Sequence, residues 1–325
     1  MEQSHTAGRN LAMEAVRVTE AAARAASEFM GRGDEIAADQ GAVLAMSVAL
    51  GALAIDGTIR IGESSDNGSS LLVVGQHSGT GVGPAVDVAL MPVEGPTIIA
   101  KGESNGLSVI AMAEEGGFLN VPDLYMDKIA IGGGYPPGII DIDREPADNL
   151  QALADVKGLP VSDLVVCILD RPRHRDLIAK VREAGARIML ISDGDVSGVI
   201  ATIWAGSGID MFLGVGGAPQ GVLSAAALCC AGGQMQGRLV IRNDDDARIA
   251  RDAGFDDKNK IYDISDMAFG GITFAATGVT TGALLKGVHK INGVIVTHSL
   301  VLRSSTGTLR FVESHHRFGH LQTGV

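Results

Sequence analysis

The chain has 325 residues, 46% of them hydrophobic, and a formal net charge of −12. Its length fits one large domain or two medium ones around a sizeable core. The acidic balance, with no Lys/Arg stripe, argues against a nucleic-acid partner. No apolar run reaches the ~20 residues that a membrane span requires, so no membrane partner is expected either.

Aromatics make up only 4% of the chain, while glycines number 44. An aliphatic core with many tight turns points to a layered α/β protein. The acidity serves solubility, and it equally suits a set of metal-binding carboxylates; composition does not separate the two. Cys167, Cys229 and Cys230 form no C-x-x-C pair and read as buried free thiols. The polar start, Met1 to Asn10, has no apolar signal core. A cytoplasmic protein is expected.

Helical spacing predicts a long helix from Leu11 to Met30, ended by Gly31-Arg32-Gly33-Asp34, and a second from about Ile36 to Leu50. Asp56-Gly57 is a turn signal. Strands are expected at Thr58 to Ile61, Leu71 to Val74, Ala85 to Leu90 and Leu107 to Ala113, in a mostly antiparallel sheet. Gly79-Thr80-Gly81-Val82-Gly83 lacks the Lys-Ser/Thr of a phosphate-binding loop and reads as a hairpin.

After Asp148-Asn149, strands and helices alternate. Strands are predicted at Val165–Leu169, Arg187–Ile191 and Met211–Val215, with helices at His174–Ala184, Val196–Trp204 and Gly221–Ala231. Such alternation predicts a parallel sheet with crossover helices. The boundary between two halves, 1–155 and 156–325, is placed near residue 155. Asn243-Asp244-Asp245-Asp246 reads as a solvated turn, and His315, His316 and His320 as a solvated tail.

Ligands of open α/β sheets sit at the carboxyl ends of strands. Three unusual clusters follow the three predicted strands of the second half. Arg171-Pro172-Arg173-His174 offers a guanidinium fork suited to phosphate. Asp193-Gly194-Asp195 offers carboxylates for vicinal sugar hydroxyls. Gly216-Gly217-Ala218-Pro219 lets backbone N–H groups approach a ligand. Each alone reads equally as a turn with a salt bridge; together, at successive strand ends, they point to one crevice for a phosphorylated sugar. In the first half, Asp39, Glu63, Asp87 and Glu94 are a carboxylate set of the kind that holds Mg²⁺ or Mn²⁺ beside phosphate, provided that the fold brings them together.

Several stretches resemble the class II fructose-1,6-bisphosphatases of the lithium-sensitive sugar-phosphatase superfamily. They include Gly31-Arg32-Gly33-Asp34 with Ala38-Asp39, residues 55–63, Asn120-Val121-Pro122-Asp123-Leu124-Tyr125-Met126, the three clusters above, and residues 276–282. The resemblance spans about Leu11 to Arg317. It implies a layered αβαβα sandwich, a homo-dimer or homo-tetramer, and hydrolysis of a sugar 1-phosphate ester with Mg²⁺ or Mn²⁺. It implies distal-phosphate contacts from Tyr125, Arg171 and Arg173, hydroxyl contacts from Asp193 and Asp195, and pocket contacts from Gly217 and Gly95. It also implies catalytic and metal roles for Asp39, Glu63 and Glu94.

The metal side departs from the family pattern. An Asp-Pro-x-Glu-Gly-Thr signature reads here Met91-Pro92-Val93-Glu94-Gly95-Pro96, and a later metal-ligating glutamate is Gln220. The acidic loop that follows the equivalent of Glu63 is here Ser64 to Ser70, with one aspartate. A thioether is a soft ligand that Mg²⁺ does not favour, and proline has neither hydroxyl nor N–H. Weak or changed phosphatase activity is therefore the first expectation. The alternatives are a lyase, dehydratase or isomerase acting on a sugar or nucleoside monophosphate, and a non-catalytic phosphosugar-binding paralogue.

Overall fold

The computed structural model describes residues 11–64 and 70–317. In chain order the elements are α1 (Ala12–Ser27), α2 (Glu35–Gly51), β1 (Asp56–Ile61), β2 (His77–Ser78), β3 (Ala85–Glu94), α3 (Pro96–Lys101), β4 (Leu107–Glu114) and β5 (Tyr125–Ile131). Next come α4 (Pro146–Lys157), β6 (Val165–Leu169), α5 (Arg175–Glu183), β7 (Arg187–Ile191), α6 (Asp195–Ala201), β8 (Met211–Gly217), α7 (Ala218–Ala231) and β9 (Gln234–Val240). The chain then forms α8 (Asp244–Asp252), β10 (Tyr262–Asp263), α9 (Ile264–Met267), β11 (Thr273–Gly278), β12 (His289–Ile291), β13 (Val294–Arg303) and β14 (Thr308–His316).

Two sheets result. The first has eight strands in the order β12-β13-β11-β4-β3-β1-β2, with β14 also paired to β13; the second has six, in the order β10-β9-β5-β8-β6-β7. In the first sheet only β1 and β3 run parallel. In the second, β6 is parallel to both β7 and β8, while β5 is antiparallel to β8 and β9. The second sheet is therefore mixed rather than purely parallel. Neither sheet ends at residue 155: β5 precedes it and joins the second sheet, whereas β11 to β14 follow it and join the first.

Three apolar clusters hold five layers together. One lies between α1, α2 and the first sheet, around Val16, Met46, Ile59 and Ile110. A second fills the space between the sheets, around α6, α7, Phe212 and Phe274. The third lies between the second sheet and α4 and α5, around Leu150, Ile168 and Val181. This is the expected αβαβα sandwich. α7 is buried along most of its length because sheets cover it on both sides, so its run of alanines and leucines carries no polar face. Among the described residues, no helix is long and apolar enough to cross a membrane.

Some local expectations change. Leu71 to Val74 is not a strand: only Val73 makes a bridge, to Glu63, and Leu72 adopts a positive φ of 59°. The glycine-rich stretch 79–83 is not a hairpin. It wraps the β1 end, donating from Thr80 N to Leu53 O and from Gly81 N to Ile55 O, because β2 and β3 flank β1 on opposite sides. The acidic run after Asn243 is the first turn of α8, where Asn243 Oδ1 accepts from Asp246 N at 2.8 Å. His315 and His316 belong to β14 rather than to a solvated tail, and His316 Nε2 contacts Thr297 Oγ1 at 2.9 Å. His320 and residues 65–69 lie outside the described residues.

Phe274 is fully buried in the layer between the sheets. Phe274→Ala is expected to lower the unfolding free energy by about 3–5 kcal/mol, read from urea denaturation midpoints.

Candidate active site

Since β6, β7 and β8 run parallel, their carboxyl ends share one edge of the second sheet. Arg171, the Asp193-Gly194-Asp195 turn and the Gly216-Gly217 pair all sit there. β5 runs the other way, so its first residue, Tyr125, pairs with Gly217 at the same edge. From the first sheet, β1 and β3 deliver Arg60, Glu63, Met91 and Glu94, and α2 adds Asp39. A cleft of about 500 Å³ opens here, lined by Asp39, Arg60, Glu63, Glu94, Asp193 and Asp195.

Local sequence explains the aim of each group. β3 carries one extra residue against β4 between Met91 and Glu94. Pro92, which has no N–H to donate to a ladder, sits in that bulge. The bulge turns Glu94 toward the second half of the molecule. Its Oε1 accepts from Val196 N at 2.6 Å and its Oε2 from Ser197 N at 2.9 Å. Gly194 holds φ at +90°, a conformation that lets the chain turn from β7 into α6 with both flanking aspartates facing the cleft. Gly95, φ 76°, lines the cleft as the residue before α3, and Pro96 takes the first position of that helix, where a missing N–H costs nothing.

The expected carboxylate set is only partly assembled. Asp39 and Glu63 come together in the cleft. Burial pushes the Asp39 carboxyl up; burial, then the charge of Asp39, pushes Glu63 up to about 7. Glu94 lines the same cleft but spends both oxygens on the α6 backbone. Burial and the neighbouring Asp195 hold its carboxyl well above the usual range, against the two backbone hydrogen bonds. Asp87 leaves the set altogether. One oxygen accepts from Arg60 Nε and the other from Gly116 N, both at 2.8 Å, and the residue is buried behind the cleft wall. Among the described residues, no three His, Cys, Asp or Glu side chains form a metal-holding group.

What remains fits a single cation better than a cluster. Asp39 and Glu63 are hard oxygen donors whose mutual repulsion a cation relieves. Gln220 Oε1, which also faces this region, is buried without a hydrogen-bond partner. Met91 and Pro96 line the cleft as well.

The phosphate-side residues adjoin the cleft rather than line it. Arg171 Nη2 lies 3.9 Å from Asp193 Oδ2. Arg173 donates to Val215 O from Nε and Nη2, at 3.1 and 2.7 Å. Its guanidinium lies 5.0 Å from the centre of the Tyr125 ring, and that of Arg242 lies 4.5 Å from it. Arg242 is held in turn by Asp246, 2.8 Å away. A five-donor guanidinium bound this way keeps N–H groups free for an anion. His174, expected within the phosphate cluster, instead ties strands together: Nδ1 meets Leu169 O at 2.7 Å, and Nε2 accepts from Val215 N at 2.8 Å.

Sequence reasoning missed three cations. Arg60 lines the cleft and neutralises Asp87. Its signal was an arginine alternating with isoleucines in β1. Arg242 was visible as an i, i+4 partner of Asp246. Lys128, a lone lysine in the apolar strand Met126 to Ile131, is fully buried against Asp195 and Gly217 O.

The shift at Glu63 has a testable sign. Burial pushes the Glu63 carboxyl up to about 7 in the folded protein, whereas its ordinary value is 4.5. Stability from this group is therefore present below the lower value and is lost as pH rises through the higher one. In cation-free protein, Glu63→Gln should gain stability relative to the parent as pH rises from about 4 to about 8, read from urea unfolding at each pH.

Comparison with known proteins points to one family. The family model described as "Bacterial fructose-1,6-bisphosphatase, glpX-encoded" matches residues 9–316. "Fructose-1,6-bisphosphatase 1 class 2" of Escherichia coli (strain K12) is 41% identical over 321 residues, covering 95% of each chain. "Fructose-1,6-bisphosphatase class 2" of Shigella flexneri matches to the same extent. A family match over nearly the whole length, together with an assembled cleft at the junction of two sheets, makes this chain a member of the class II fructose-1,6-bisphosphatase family.

Proposed function

We propose that the protein is a phosphosugar phosphatase that hydrolyses a phosphate ester of a fructose bisphosphate or a close relative. The observation that carries this reading is the single cleft, with a carboxylate pair on one wall, Asp39 and Glu63, and a hydroxyl-accepting pair on the other, Asp193 and Asp195. The arginine–tyrosine cluster stands beside the second wall.

The division of labour follows from charge. Arg173 and Arg242, stacked on Tyr125, hold the phosphate that is not cut. Asp193 and Asp195 accept from sugar hydroxyls and set the sugar's orientation. This places the second phosphate by Asp39 and Glu63, where Arg60, whose Nε is given to Asp87, has its other N–H groups to donate. Asp39 and Glu63 would hold one Mg²⁺ or Mn²⁺, which when bound neutralises phosphate charge and makes water more acidic. Loading must release the Glu63 proton, so cation affinity rises with pH through about 7. Glu94 bridges the two walls and fixes their spacing; phosphoryl transfer depends on such positioning. Met91 and Gln220 bring no negative charge to this wall, so low turnover is expected. Three free cysteines fit a reducing, cytoplasmic compartment, and a homo-oligomer is the family expectation.

Phosphate release from fructose 1,6-bisphosphate with Mn²⁺ or Mg²⁺ tests the proposal, and no release across a panel of phosphosugars would overturn it. Asp39→Asn is expected to lower kcat/KM about 100-fold. Arg173→Ala should act chiefly on KM, raising it about tenfold with a smaller change in kcat.

A further inference from the structure

Lys128 points from β5 into the layer between the two sheets, on the same face as Met126 and Ala130. Its side chain has no exposure to solvent. An ammonium group buried without partners costs several kcal/mol, so its partners define its role. It has two. Nζ donates to Asp195 Oδ2 in a short ion pair and to Gly217 O at 2.9 Å. Both belong to the edge where the cleft opens.

The backbone around the pair is cleared for it. A Cβ on Gly216 would overlap Asp195 Oδ2 and lie 2.9 Å from Lys128 Nζ. A Cβ on Gly221 would lie 3.4 Å from Lys128 Cδ and collide with Met126 Sδ. Gly216 of β8 and Gly221 of α7 thus leave a channel through which the lysine reaches the aspartate. On the far side Asp195 faces the cleft, and among the described residues its Oδ1 has no hydrogen-bond partner. Glu94 stands next to Asp195 but is held by the α6 backbone, so without the lysine Asp195 would be the buried carboxylate that loses its cation.

We propose that Lys128 is a positioning residue for sugar recognition. It clamps one oxygen of Asp195 and so presents the other to a hydroxyl of the phosphosugar. The inference rests on the phosphosugar reading of the cleft. Its effect falls on affinity for the sugar, and it runs through Asp195 alone.

Calorimetric binding of fructose 1,6-bisphosphate to the full chain tests it, in the parent, Lys128→Met, Asp195→Asn and the double variant. Lys128→Met is expected to weaken binding about tenfold, with KM rising more than kcat falls. In the Asp195→Asn background the same change should add little, because the two residues act as a unit. A folded Lys128→Met with parental affinity overturns the proposal. So do losses that multiply in the double variant, since these mean that the lysine merely supports the fold. If Lys128→Met fails to unfold cooperatively, Gly216→Ala displaces the same pair with both charges kept. It should show the same loss, and parental affinity there overturns the proposal equally. A parent that neither binds nor hydrolyses the sugar overturns the phosphosugar reading and the role of Lys128 with it; a parent that binds, beside unaffected variants, overturns only the role of Lys128.

Discussion

A helix layer covered by a sheet on each face leaves polar side chains only its rim. α6 and α7 are buried between the two sheets, and burying an unpaired charge there is prohibitive. The ionisable groups that do enter the layer are therefore gathered at the amino ends of those helices and given partners. Glu94 accepts from the backbone of α6, and Asp195 pairs with Lys128. The cleft is the place where this paired rim meets water.

The same rim joins the two sheets chemically. Glu94 originates in β3 of the first sheet and ends on α6, which packs against the second. The bulge at Pro92 makes that reach possible. A residue expected to face a metal thus spans the walls of the cleft, and its oxygens are committed to the backbone. Asp87 is committed in a different way, to Arg60 and Gly116. Of four expected acidic ligands, two retain the freedom to hold a cation. Met91 and Gln220 line the same wall, and neither side chain brings charge to it.

The arginine–tyrosine cluster shows the opposite economy. Arg173 and Arg242 are each anchored by one partner, Val215 O and Asp246, and both stack on Tyr125. Anchoring of this kind lowers the entropy lost when an anion is bound. It also explains why Tyr125 starts β5 at the point where that strand pairs with Gly217: the ring is held at the edge where the guanidinium groups arrive.

Much of this was legible in the sequence. Helical spacing and short aliphatic runs bounded by turn signals located α1, α2, β3, β4 and the elements from β6 to α7, because these patterns reflect which faces are buried. Three motifs at three successive strand ends announced a common edge, since parallel strands put their carboxyl ends together. Family motifs carried the five-layer sandwich. Pairing partners far apart in the chain were not legible. The return of β11 to β14 to the first sheet, the Arg60–Asp87 pair, the turning of Glu94 onto α6 and the burial of Lys128 all join residues separated by dozens of positions. No local pattern encodes such contacts. They are decided when the layers stack, where each buried charge takes the partner that the packed backbone places within reach.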